Sequence, residues 1–121
     1  MTITLNHTII PARDNEREAR FFAEIMGLPY HGLNRHFAPV QVNEQLTLDF
    51  LTMPDALGHH LAFDVDPESF DQILAGLQSR GVPYGNDPQQ PDNGRTDHPL
   101  VPRGVFFQDE AGNLWEVMSP Q

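Results

Sequence analysis

Two stretches of this chain repeat one another, and such a repeat leaves few folds open. The first runs from Asn6-His7-Thr8-Ile9-Ile10 through a helical pattern to Gly27-Leu28-Pro29-Tyr30. The second runs from His59-His60-Leu61-Ala62-Phe63 through another helical pattern to Gly81-Val82-Pro83-Tyr84. Each copy goes on to an apolar run holding one acid: Asp49 within Leu46–Leu51, and Glu116 within Leu114–Met118. Duplicated units occupy symmetry-related places. His7 and His60 are therefore expected to face each other across a pseudo-two-fold axis, with Asp49 and Glu116 related in the same way. Neither half can bury its own sheet face alone. The expectation is one domain over residues 1–121, built from a module at about 1–55 and another at about 56–121.

Local patterns give each module the same grammar. Residues 3–10 read as a buried strand, with Ile3, Leu5, Ile9 and Ile10 around His7. Asn15, followed by Glu18, resembles a capping box, and Ala19, Phe22, Ala23 and Met26 then share one helical face. Gly27 suits the helix stop. Phe37–Val42 and Leu46–Thr52 read as a hairpin through Asn43-Glu44-Gln45. In the second half His60–Val65 is a strand, and Asp66-Pro67 supplies an N-cap and a first-turn proline. Phe70, Ile73, Leu74 and Leu77 form the helix's apolar face, and Gly81 closes it. Val105–Gln108 and Leu114–Met118 are strands joined by Asp109–Asn113. Residues 85–103, rich in Pro, Gly, Asn and Asp, read as a long loop with at most one short strand; such loops are often functional or mobile.

Composition excludes several partners. Seven basic residues against seventeen acidic ones give a formal charge of −10, which repels nucleic acid phosphates and anionic lipid. No apolar run approaches the roughly 18 residues needed to cross a bilayer, and no signal-peptide pattern opens the chain. A cytoplasmic protein is expected, with neither nucleic acid nor membrane as partner. With no cysteine, any metal must be held by nitrogen and oxygen.

Two imidazoles and one or two carboxylates converging between modules would suit iron, manganese, nickel, cobalt or zinc with positions left for water and substrate. Strands hold such ligands rigidly, and alternation sets their direction. Alternation also favours His60 over His59, because His60 shares a face with Ala62 and Asp64. A carboxylate flanked by Trp115, Val117 and Met118 needs a partner to be ionised there. Taken singly, each residue has a plainer reading: a strand histidine is most often a hydrogen-bonded core residue, and Asp49 can cap a turn or orient a ligand. The joint recurrence in both modules favours the metal reading. Arg95, His98 and Arg103 lie in the long loop, where they are either solvated charges or a grip on an anionic substrate. Phe50, Phe107 and Trp115 are core residues by default, and His31 and His36 fall on the surface.

These residues resemble those of the vicinal oxygen chelate proteins, the glyoxalase/bleomycin-resistance/extradiol-dioxygenase superfamily. The likeness is carried by Leu5-Asn6-His7-Thr8-Ile9, the Glu18–Leu28 helix, His60–Val65 and the closing Val105–Glu116. It implies an α+β fold of two βαβββ modules whose strands form a curled mixed sheet around a central cleft. It also implies a divalent cation held by His7, His60 and Glu116, with Asp49 where glyoxalase I carries a further glutamate, and Glu116 as the catalytic carboxylate. The cation would chelate vicinal oxygens of a small substrate and stabilise developing negative charge. Homodimers are common in the family, often with the site assembled from both chains. Some features depart from particular members. Pro11 stands where bacterial glyoxalase I has an arginine, and no Lys-Ser-Arg-rich phosphonate pocket is visible. Extradiol enzymes are usually longer and carry an additional His and Tyr, roles in which His98 and Tyr84 could stand here.

Three functions are compatible with this reading. The first is a metal-dependent glyoxalase- or dioxygenase-like enzyme acting on a small oxygenated substrate. The second is a metal-free protein of the bleomycin-resistance type that sequesters a small molecule, its acidic surface suiting a cationic one. The third is a retained fold with regulatory or assembly duty.

Overall fold

Strand alternation and helix punctuation build the same unit twice. The computed structural model covers residues 1–121. Its elements are β1 (His7–Ala12), α1 (Asn15–Met26), β2 (Phe37–Gln41), β3 (Thr47–Thr52), β4 (His60–Asp64), α2 (Pro67–Ser79), β5 (Arg103–Gln108) and β6 (Leu114–Ser119). One sheet has the order β1-β3-β2 and the other β4-β6-β5. In each, the first strand runs parallel to the last and the hairpin partners run antiparallel. The registers correspond as well. Ile9 lies opposite Asp49, and Ala62 lies opposite Glu116. Each candidate histidine thus stands two residues before the strand partner of its module's acid.

Alternation along β3 and β6 divides the two faces. Leu48, Phe50, Trp115 and Val117 are fully buried; Asp49 and Glu116 point the other way. The buried faces share one core under α1. The Phe22 ring lies 4.4 Å from Trp115, 5.9 Å from Phe50 and 6.0 Å from Phe63. Buried polar groups add cross-ties between the modules. Asn113 Nδ2 donates to the Pro11 carbonyl at 2.8 Å, and the Ala111 N–H donates to Glu18 Oε1 at 2.9 Å. The outcome is two open three-stranded mixed sheets on one core, an α+β fold.

Several boundaries differ from the sequence expectation. The first strand starts at His7 rather than residue 3, leaving Ile3 and Leu5 exposed. Apolar alternation resembles a strand here, but the ladder begins only where His7 meets Thr47. The α1 cap is Asp14, not Asn15: its carboxylate accepts from the Arg17 N–H. Glu18 still reaches back, accepting from the Arg13 and Asp14 N–H groups at 2.6 and 2.8 Å. Gly27 ends the helix with φ of 71°, a left-handed conformation costly for a residue with a Cβ. Each module forms three of the four strands expected of a βαβββ unit; in module two the segment between helix and hairpin adds a single bridge, Gly85 with Phe106 beside β5. No helix is long and apolar enough to cross a membrane.

Candidate metal centre

Glu116 is the focus of the face turned away from the core. It sits mid-strand on β6, between Ala62 of β4 and Phe106 of β5. The residue is only 7 % exposed, so its two oxygens need partners. Oε1 lies 2.8 Å from His60 Nε2, and Oε2 lies 2.6 Å from His98 Nε2. His60 is the first residue of β4 and half exposed, its ring 5.8 Å from that of Phe106. His98 is buried and stacks on the same aromatic, with centroids 5.6 Å apart and planes at 16°.

His98 reaches this position because the loop carrying it is tied down throughout. Asn93 Nδ2 donates to Asn86 Oδ1, and Asn86 Nδ2 donates to the Asp97 carbonyl. The Gly94 N–H bonds to the Tyr84 carbonyl and the Gly104 N–H to the Thr96 carbonyl. Arg95, in the loop, and Arg103, which the structure places at the start of β5, are both already paired. Hydrogen bonding from Arg95 holds the Asp97 carboxyl below its usual range. Arg103 pairs with Asp71 at 2.6 Å and lies 4.5 Å over the Phe70 ring. Tyr84 accepts from Gln78 through its hydroxyl.

The other expected site residues fall as follows. His7 begins β1 and is exposed, its Nδ1 2.8 Å from Asn6 Oδ1. Asp49 is half-buried at the position matching Glu116. Within one chain, no three His, Asp or Glu side chains group closely enough to hold a metal. Of the four candidate ligands, the chain brings together His60 and Glu116. His59 lies outside that pair, with its ring bonded to the Ile9 carbonyl at 3.0 Å. Phe50, Phe107 and Trp115 are core; the aromatic beside the site is Phe106.

Chemically, this pair fits a divalent cation. Two cis ligands at about 2.1 Å from a shared ion are separated by roughly 3.0 Å, close to the 2.8 Å between His60 Nε2 and Glu116 Oε1. With its proton moved from Nε2 to Nδ1, the His60 imidazole supplies a lone pair beside the carboxylate's charge, the donor set that borderline transition metals take.

The family model of the Glyoxalase/Bleomycin resistance protein/Dioxygenase superfamily matches residues 4–117. This chain belongs to that superfamily. Its fold is shared in full with the solved structure "Oxidase ChaP-H2", at 33% identity and TM-score 0.90, covering 100% of this chain and 96% of the other. "Oxidase ChaP-H1" matches at 32% identity and TM-score 0.87 over 99% and 98% of the two chains. A glyoxalase/dioxygenase from Nostoc punctiforme shares the fold at 19% identity, TM-score 0.73, over 98% and 91%. Comparison with curated proteins gives no match. Superfamily membership makes an enzyme of the glyoxalase/dioxygenase kind plausible without selecting a reaction.

His98 is the site residue that sequence reading did not place. It belongs to neither repeat and follows no periodicity. One local signal exists: Gly104 inside a strand marks a close approach, and a Cβ there would meet His98 Cδ2 at 2.5 Å.

Proposed function

We propose that this superfamily member is a divalent-metal enzyme that oxidises a small oxygenated substrate. We place its site between His60 and Glu116 of one chain and His7, with Asp49, of a second copy. The observation that carries the reading is the preformed pair, a buried carboxylate whose Oε1 stands at cis-ligand distance from His60 Nε2. Likeness to two proteins called oxidases, each above 30% identity over nearly the whole chain, favours oxidation over the other reactions of the superfamily.

A bound cation would supply Lewis-acid polarisation of a substrate oxygen. The protein's own residues do the rest. Glu116 provides the anionic oxygen and His60 the neutral nitrogen. Phe106 walls one side with an apolar ring, which excludes water and suits a flat ligand. The half-exposed edge of His60 leaves that flank open to substrate. His7 can contribute as a third donor through Nε2 while Asn6 Oδ1 holds its Nδ1, and a second copy of the chain is the source proposed here.

Metal content of protein purified without a histidine tag tests the reading, after reconstitution with iron(II), manganese, nickel, cobalt and zinc. The expected result is close to one ion per chain in the parent and almost none in His60→Ala. Oxygen uptake with a panel of hydroxylated aromatic and dicarbonyl compounds should follow metal content. An absence of metal in the parent under every condition would discard the enzyme reading and favour metal-free binding of a small molecule.

A further inference from the structure

The geometry points to His98 as a positioning residue that holds Glu116 in one orientation and is not itself a metal ligand. This rests on the metal reading of Glu116 and deepens it. The decisive contact is on the far side of the ring: the Leu100 N–H donates to His98 Nδ1 at 3.1 Å. A nitrogen that accepts a hydrogen bond carries no proton, so the neutral ring must carry its proton on Nε2. Nε2 lies 2.6 Å from Glu116 Oε2, which leaves one arrangement: Nε2–H donates to the carboxylate. A protonated Nε2 has no lone pair for a cation. His60 also presents Nε2 to this acid, but no hydrogen bond occupies its Nδ1, so its proton can move there and free Nε2 for a cation; the Leu100 N–H denies His98 that change.

The surroundings allow the ring little choice. Phe106 stacks on one face, and Gly104 backs the ring where any Cβ would collide with it. The Thr96 carbonyl fastens the loop to the Gly104 N–H at the start of β5. With Oε2 occupied, Glu116 cannot turn freely, and Oε1 stays directed at His60. An outer partner of this kind orients a ligand and preserves its charge, and its loss typically weakens metal affinity by about 10–100-fold.

Two variants and one spectroscopic readout test the assignment in the full-length protein. His98→Phe keeps an aromatic ring against Phe106 and removes the donor; His98→Gln restores an N–H toward Glu116. Zinc titration should show His98→Phe binding about 10–100-fold more weakly than the parent, with His98→Gln recovering part of the loss. Parent-like affinity in a folded His98→Phe protein overturns the proposal. Long-range 1H–15N NMR of the parent needs no variant to fold. It should show His98 as the Nε2–H tautomer both before and after zinc is added, while the His60 Nε2 resonance takes a metal-bound shift. A proton on Nδ1, or a coordination shift at His98, overturns the proposal. If the parent takes up no zinc at all, the metal reading fails, and the tautomer readout still decides whether His98 holds Glu116.

Discussion

In module one His7 stands two residues before the strand partner of Asp49, and in module two His60 stands two residues before that of Glu116. The backbones are equivalent, yet the acids have different surroundings. Asp49 is half-buried and accepts no hydrogen bond from a histidine; Glu116 is buried and lies between two imidazoles. One cause is side-chain length. The other is the connection between helix and hairpin, which in module one passes directly through residues 27–36. In module two it is long enough to fold back and deliver His98. Duplication supplied the register, and the longer loop specialised one copy. The proposed shared site follows from that asymmetry: module two holds a finished half, and module one offers a bare one.

The largest expected contrast is between the two acids. Glu116→Gln should lower metal affinity by more than about 100-fold, beyond the range of outer-shell changes, whereas Asp49→Asn should cost about tenfold or less. Calorimetric titration with zinc would measure both. Equal losses would mean that the modules contribute alike and that Asp49 is a full ligand.

A smaller contrast concerns the core. Trp115 and Leu48 each precede the acid of their module and are fully buried. Trp115 touches Phe22, Phe50 and Phe63 and so joins both halves. Trp115→Ala should cost about 3–5 kcal/mol and Leu48→Ala about 2–5 kcal/mol in urea unfolding, each as a single transition. Two separated transitions would show that the modules do not share a core.

The hairpin turns differ in charge, and this sharpens the comparison through pH. In module one the turn is capped by neutral Asn43, which accepts from the Gln45 and Leu46 N–H groups. In module two Asp109 accepts from Asn113 and from Trp115 Nε1. Burial nevertheless pushes the Asp109 carboxyl above its ordinary 3.8, and burial raises Glu18 likewise. A raised acid stabilises the fold fully below its unfolded value and loses that contribution as pH rises through the folded one. Urea midpoints should therefore fall as pH climbs above the ordinary carboxylate range, with a shallower slope in Asp109→Asn. An unchanged slope would remove Asp109 as a source of the pH dependence.

Much of this architecture was legible in the sequence because it is periodic or punctuated. Gly27, Asp66-Pro67 and the apolar faces of both helices mark elements whose physics is local. Alternation chose His60 over His59, since only every second strand residue faces the acid. The strand start at His7 was not legible: Ile3 and Leu5 continue the alternation, and only pairing with Thr47 decides where a ladder begins. His98 was beyond reach for a different reason. Its position depends on a cross-tied loop of Asn, Asp and Gly contacts, whose geometry arises from tertiary hydrogen bonds with no sequence period. Equivalence of His7 and His60 can likewise be read from a repeat, whereas their joining at one ion requires a second chain in the proposal made here.

Subunit complementation tests that joining most directly. His7→Ala and His60→Ala chains would be refolded together, the mixed dimer isolated, and its zinc content compared with both variant homodimers. If each site draws His7 from one chain and His60 from the other, two-fold symmetry leaves one site of the mixed dimer intact. The expected result is almost no metal in either homodimer and about half the parent's content in the mixed dimer. A mixed dimer as empty as its parents would contradict a site shared between chains.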